Sequence, residues 1–480
     1  LQDRQFQQWR HSDHSSILWI KGDPGKGKTM LLCGIVDELE RSDTKVPILS
    51  YFLCQATDRR LDNATAVLRG LIFMFVQQQP FLVSHIQAEY EIAGKSLFEG
   101  PNAWCALVNI LQSMFDDKRL DGAYVVVDAL DECSTGQRKL LNFILITSST
   151  YPRIHWLVSS RNWAQIENVL SGSTQAIELS LELNEDTISA AVKTYISIKV
   201  QELTRQNKYN EDERQDVKSF LESNAQDTFL WAALIFRELL EVDGWEVKGV
   251  LEKMPSGLGP LYARMMQHIS SSGRARLCKE VLAVASVALR PLTLEEMSAC
   301  VTGGPPILSH PKAWEDIVKS CGSFLTLRDN VIQFVHQSAK DFLVGHATHE
   351  IYPSGVERSH YDIFERSLNT LMNTLDRDMY SLEDPAFSME DLNSTPFPDP
   401  LATARYSCVY WVEHLVKSNT LSNSTALQIG GIVGRFLRTY YLYWLEASSL
   451  IRSMPEAQVS ISRLETLLRN EVRPQFLSNG

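Results

Sequence analysis

The chain has no long block of Lys or Arg, no apolar run of membrane-spanning length, no C-x-x-C pair and no initiator methionine. Each absence excludes something. Lys plus Arg number 46 against 58 Asp plus Glu, a formal charge of −12. Sequence-independent nucleic-acid binding relies on neutralising phosphates, so such a balance argues against it. The longest apolar runs, "LIFMFV" at 71–76 and "VLAVASVAL" at 281–289, fall far short of the ~20 residues a spanning helix needs. No membrane span is expected. Eight cysteines lie scattered through 480 residues, too far apart for a zinc or disulfide framework; reduced thiols and a cytoplasmic location are the expectation. The N-x-[ST] matches at Asn63, Asn393 and Asn423 then read as chance, since no signal peptide precedes them. The missing Met, with an apolar strand already at Ile17, reads as a segment of something longer.

What is present falls into two regimes. From 17 to about 180, short β-rich runs at 17–22, 46–53, 123–130, 154–160 and 176–180 alternate with helical stretches at 28–41, 64–79, 101–115 and 135–147. That alternation predicts βαβ units and a mostly parallel sheet covered on both faces. After about 183 strands give way to helices. One begins behind Asn184 as a cap, and others fit 211–222, 228–241, 260–271, 275–289, 293–301 and 311–320. A hairpin interrupts them, "SFLTL", the turn "RDN", then "VIQFVH" over 323–336. Helices ending in a hairpin suggest a winged helix, whose DNA-binding use the acidic charge again disfavours. Residues 381–400 carry four prolines and read as a loop, followed by aromatic-rich helices. The expected fold class is an α/β P-loop NTPase domain followed by mostly α-helical domains including a winged helix.

The chemistry concentrates in three stretches. Gly22 to Thr29, "GDPGKGKT", fits G-x-x-x-x-G-K-[ST] between a strand and a helix, so the contact set is Gly22, Pro24, Gly25, Lys26, Gly27, Lys28, Thr29 and Met30. Backbone N–H groups and the helix N-terminus face phosphate oxygens, Lys28 neutralises their charge, and Thr29 ligates Mg²⁺. A second metal carboxylate belongs at a neighbouring strand end, and Asp128 in "YVVVDALDEC" supplies it. In many ring-forming ATPases a water-activating Glu comes next; here that position is Ala129, and Asp131 and Glu132 follow. One of these, Asp131 preferentially, is the candidate catalytic or water-positioning group; the alternative is that both cap a helix starting near Ser134. In "WLVSSR" a strand runs into Arg161, a guanidinium suited to sensing a γ-phosphate, or else a surface partner of an acid. Arg59 and Arg60 are further cations, near phosphate or simply exposed.

Taken together, "GDPGKGKT", "VVVDALDE" and "LVSSR" resemble the NACHT subgroup of signal-transduction STAND nucleotidases. "LWIKGDPGKGKTMLL", "YVVVDALDEC" and the later "RPLTLEEM" are most similar to fungal NOD-like receptors of the heterokaryon-incompatibility type. The resemblance implies a nucleotide domain at 1–178, a helical domain at 179–258, a winged-helix domain at 259–350 and a further helical region at 351–480. It also implies that "FVHQSAKDFL" brings His336 to the β-phosphate of a bound diphosphate. The family's G-x-P base-contact motif has no Pro in the comparable "DTFLWAAL" (227–234), and the N-K-x-D of regulatory GTPases is missing from "NKYN" (207–210). ATP/ADP and GTP therefore stay open. The implied function is a nucleotide switch, closed with ADP and open with ATP, hinged at "PSGLGP" (255–260). Slow hydrolysis and self-oligomerisation on activation go with it, as do an N-terminal effector and C-terminal repeats outside this chain. Competing readings are an AAA+-type ATP-driven remodeller, a scaffold with a vestigial phosphate loop and, less favoured, a metabolic kinase.

Overall fold

The computed structural model describes residues 4–477 apart from 11–16, 42–47, 95, 101, 174–175, 183–184, 208, 241, 305, 308–309, 384–395, 397, 419–425 and 429. The proposed cap Asn184 and most of the Pro-rich loop lie outside the described residues. The chain divides into two compact units, 1–261 and 262–480.

The first unit is built on five parallel strands, β1 (Ile17–Lys21), β2 (Ile48–Leu53), β3 (Ala123–Asp128), β4 (Ile154–Ser160) and β5 (Ala176–Ser180), in the order β2-β3-β4-β1-β5. Because strand side chains alternate, the sheet sends Leu18, Ile20, Leu49, Val126 and Leu157 to one face, where they pack with Leu32, Ile35 and Leu39 of the helix Lys28–Arg41. Phe6 and Trp9 of a helix at Arg4–Arg10, absent from the sequence expectation, complete that layer. Ile17, Trp19, Val125, Val127, Trp156 and Val158 go to the other face, under the helices Ala64–Gln78, Ala103–Asp116 and Gln137–Thr150. Burying each such large apolar side chain contributes about 1.5–3 kcal/mol, which holds the strand ends that carry the site. The expected strand boundaries shorten slightly: β1 stops at Lys21 and β3 at Asp128, where the backbone turns away. Helices at Glu185–Asn207, Glu211–Asn224, Phe229–Leu239 and Val247–Leu251 follow in this unit.

In the second unit the hairpin forms as β7 (Leu325–Arg328) and β8 (Val331–Phe334), and a two-residue strand β6 (Leu292–Thr293) makes it a three-stranded antiparallel sheet in the order β6-β8-β7. Helices Ala275–Val287, Leu294–Cys300 and Pro311–Ser320 accompany it as a winged-helix element. The "RPLTLEEM" stretch has a structural role here. Thr293 and Glu296 form a capping box, and Arg290 clamps the buried Glu296 through Nη1 and Nη2 at 2.7 and 2.6 Å. The Arg290 guanidinium also lies 5.2 Å from the Tyr406 ring. Beyond it, Val356–Thr374, Arg405–Ser418 and Ile432–Leu450 share a core around Phe364, Trp411, Phe436 and Trp444. Among the described residues no helix is long and apolar enough to cross a membrane.

Candidate functional site

The strand order decides where the site lies. β4 is inserted between β1 and β3, so the loop leaving β1 and the acid ending β3 flank the end of β4, outside the carboxyl ends of a parallel sheet, where ligands of such folds sit. Gly25 and Gly27 have φ of +81° and +85°, left-handed values that glycine adopts without steric cost. The loop curls there and the helix starts at Lys28. Lys28 Nζ donates to Gly22 O at 2.5 Å and Asp23 O at 3.0 Å, drawing the ammonium back across the loop mouth. Burial lowers its pKa; Asp131 and Asp128 oppose the drop while Arg161 adds to it, so all four charges act within one site. Met30 is exposed.

Thr29 and Asp128, 99 residues apart, meet directly: Thr29 Oγ1 donates to Asp128 Oδ2 at 2.6 Å. Asp128 Oδ1 accepts from Ser159 Oγ, and Ser159 Oγ in turn accepts from Ala129 N at 2.9 Å. The carboxylate is thus fixed by two hydroxyls at 4% exposure. A hydroxyl and a carboxylate are the hard oxygen donors that suit Mg²⁺, which takes one or two protein ligands and shares the rest with phosphate and water. Thr29 and Asp128 would hold such an ion, and it would neutralise phosphate charge when bound.

After Asp128 the backbone becomes left-handed at Ala129, φ +53°, and a short 3-10 turn, Leu130–Glu132, brings the next two acids back beside the strand ends. Neither caps the following helix, which starts at Gln137 behind Gly136; that alternative is corrected, because both carboxylates have other partners. Asp131 Oδ1 accepts from Arg161 N at 2.9 Å, and its Oδ2 lies 3.0 Å from Arg161 Nε. Asp131 is 3% exposed in its side chain and Arg161 16%. Arg161 is therefore engaged with an acid inside the site. Burial pushes Asp131 above the ordinary carboxylate range, with Arg161 and Lys28 pulling the other way. Glu132 Oε2 accepts from Ala56 N at 3.0 Å. Burial pushes Glu132 up to about 7 against that N–H and Arg161, and Asp131 and Asp128 push it the same way as burial.

The loop after β2 is zipped to this turn by Ser134 Oγ donating to Asp62 Oδ2 at 2.6 Å and by Ala64 N donating to Thr135 O. Arg60 forks onto Asp58 within that loop, with Nε to Oδ1 at 3.0 Å and Nη2 to Oδ2 at 2.6 Å. Two contributors were not singled out from sequence. Ser159 lay inside the quoted "LVSSR", and a hydroxyl at the buried end of an apolar strand was the available signal. Glu182, whose Oε1 accepts from Asp23 N at 2.6 Å, carried none.

His336 stands in the second unit as the N-cap of the helix Gln337–Gly345. Its Nδ1 accepts from Ser338 N at 3.1 Å and lies 2.8 Å from Ser338 Oγ, itself 3.0 Å from the Tyr262 hydroxyl. With Nδ1 accepting from the backbone, the neutral ring carries its proton on Nε2.

Comparison with known proteins matches the same part of the chain. Residues 1–161 match the family described as "Nephrocystin 3, N-terminal", a span that ends on Arg161. Over its whole length the chain is 46% identical to the "Vegetative incompatibility protein HET-E-1" of Podospora anserina. The chain is of the NACHT type, related to fungal incompatibility proteins. This NACHT-type chain spans 36% of the length of that curated relative. Among solved structures it is similar to a Walker-type ATPase of Pyrococcus abyssi, with 13% identity, 71% of this chain and 94% of that one covered, and a TM-score of 0.36. It is also similar to the ORC2 protein of Aeropyrum pernix, solved as ADPNP-ADP complexes, with 11% identity, 75% and 90% covered, and a TM-score of 0.32. The P-loop fold of the NACHT-type unit stands on its own strand order and loop.

Proposed function

We propose that this chain is the nucleotide-operated switch of a cytoplasmic fungal NOD-like receptor, held closed by ADP and opened by ATP, with non-self recognition or programmed cell death as the output. In the full-length protein an N-terminal effector and C-terminal repeats flank it, and opening leads to self-oligomerisation. Nucleotide phosphates lie over Gly22 to Met30, Mg²⁺ on Thr29 and Asp128, and Arg161 reads the γ-phosphate. His336 donates through Nε2–H to the β-phosphate of ADP, a role its Nδ1 hydrogen bond supports by fixing the tautomer.

The observation that carries the latch reading is the engagement of both candidate bases. Asp131 is paired with Arg161 and Glu132 with the Ala56 amide. A general base must turn a lone pair toward the attacking water; here Arg161 takes both oxygens of Asp131, and the Ala56 amide takes one oxygen of Glu132 and fixes its direction. Hydrolysis is then slow and serves to reset. The two nucleotides act only through their different affinities for the closed and open states.

The test is to release and identify the nucleotide that co-purifies, and to melt wild type and Lys28→Ala with and without Mg-ADP. A bound diphosphate, with a melting shift that Lys28→Ala abolishes, is expected. Guanine in place of adenine would reassign the base. Equal wild-type melting curves with and without nucleotide would refute binding, and several turnovers per second without a trigger would favour a motor.

A further inference from the structure

Residues 226–230 pack against the phosphate loop from about 200 positions further along the chain. Lys26 Nζ donates to Gln226 O at 3.1 Å, and Leu230 N donates to Gly25 O at 3.4 Å. A Cβ at Gly27 would stand 2.9 Å from the Phe229 ring, and one at Gly25 would stand 2.9 Å from Thr228 Cγ2 and 3.0 Å from Leu230 Cβ. The loop glycines thus answer to this turn as well as to their own dihedrals. Phe229 is itself held edge-on by Tyr195, with ring centroids 5.7 Å apart. The turn is strained: Gln226 and Asp227, neither of them glycine, are left-handed in succession at φ 47° and 53°, which persists only where the surroundings impose it.

The same turn touches 255–258 on its other side. The fully buried Trp231 donates Nε1–H to Pro255 O at 3.0 Å. A Cβ at Gly257, φ +81°, would stand 2.9 Å from Gln226 Oε1. Leu258 Cδ1 would lie 3.3 Å from a Cβ at Gly25. One stiff turn thus touches both the phosphate loop and the segment 255–258, and Leu258 reaches the loop beside it.

We propose that Phe229 is a positioning residue for the phosphate loop, and that the turn at 226–231 couples filling of that loop to the backbone at 255–258. The inference rests on the nucleotide reading and adds how occupancy leaves the site. With the ring in place, Gly27 has one seat, and a loop drawn tight around phosphate must carry the turn with it. Without the ring Gly27 is released from the turn, and the loop keeps the hydrogen bonds at Gln226 and Leu230 and the approach of Leu258 to Gly25. The coupling is a free energy shared by two places on one bistable element.

Hydrogen exchange of the full chain, with and without saturating Mg-ADP, reads it out. In wild type, exchange should slow at 22–30 and also, by about fivefold or more, at 254–260. Phe229→Ala should keep the response at 22–30 and shrink the one at 254–260, while Phe229→Leu, which refills the seat, should retain both. Gly257→Ala strains the far end, where φ is +81°, away from the phosphates, and should shrink the distal response while leaving the loop response. If Phe229→Ala or Gly257→Ala keeps the distal response at wild-type size, the coupling is refuted. It is equally refuted if the wild-type loop responds and 254–260 does not, or if Phe229→Ala weakens both responses in parallel with a lowered melting temperature, the mark of a merely structural role. No wild-type response at 22–30 would overturn the nucleotide reading itself, and the coupling with it.

Discussion

Replacing Glu132 by Gln should stabilise the first unit, and by an amount that depends on pH. The carboxyl is pushed from its ordinary 4.5 up to about 7, chiefly by burial. The folded protein therefore holds a proton on Glu132 to a higher pH than the unfolded chain does. For a group raised in this way, stability is fully present below 4.5 and is lost as pH rises through about 7. Each pKa unit corresponds to about 1.4 kcal/mol, so the rise from 4.5 to about 7 sets an upper bound of about 3 kcal/mol. A Gln carbonyl still accepts from Ala56 N–H and does not titrate. Glu132→Gln should match wild type near pH 4.5 and exceed it by up to about 3 kcal/mol at pH 8. Urea unfolding in EDTA, followed by the fluorescence of the fully buried Trp19 and Trp156, measures the difference at each pH. A difference that is constant from pH 5 to 8, or a variant weaker than wild type at pH 8, would refute the reasoning.

Arg161→Ala leaves the buried Asp131 without its guanidinium and should cost about 3 kcal/mol at pH 7; it should also level the affinities for ATP and ADP, seen by titration calorimetry. His336→Ala should raise the ADP off-rate about tenfold or more, the worth of a hydrogen bond to a charged group. Stopped-flow displacement of a fluorescent ADP analogue reads this, and an unchanged rate would withdraw the residue from the site.

Periodicity exposed the βαβ half because buried parallel strands read as continuous Val, Ile and Leu runs, and "YVVVD" and "WLVSS" are of that kind. The contact of Thr29 with Asp128 was foreseeable, since the loop motif and a strand-ending acid each carry their role in local sequence. An acid partner for Arg161 was among the expectations, but on the surface; that it is Asp131, buried inside the site, was not foreseeable. It depends on the left-handed backbone at Ala129, and alanine gives no hint of such a conformation. Strand β6 escaped notice because two residues show no period, and the capping box that follows reads as a helix start. The helix Val356–Thr374 was hidden by polar residues on its buried face, His360 and Ser367 among them. The seat of the phosphate loop on Phe229 is a tertiary contact, and pattern reading has no access to those.

The claim that nucleotide acts here as a latch is tested most directly by light scattering on this chain loaded in turn with Mg-ADP and with Mg and a non-hydrolysable ATP analogue. A compact monomer with ADP and a larger assembly with the analogue is the predicted result. Demonstrated binding of both nucleotides with the same mass and radius in each would contradict it.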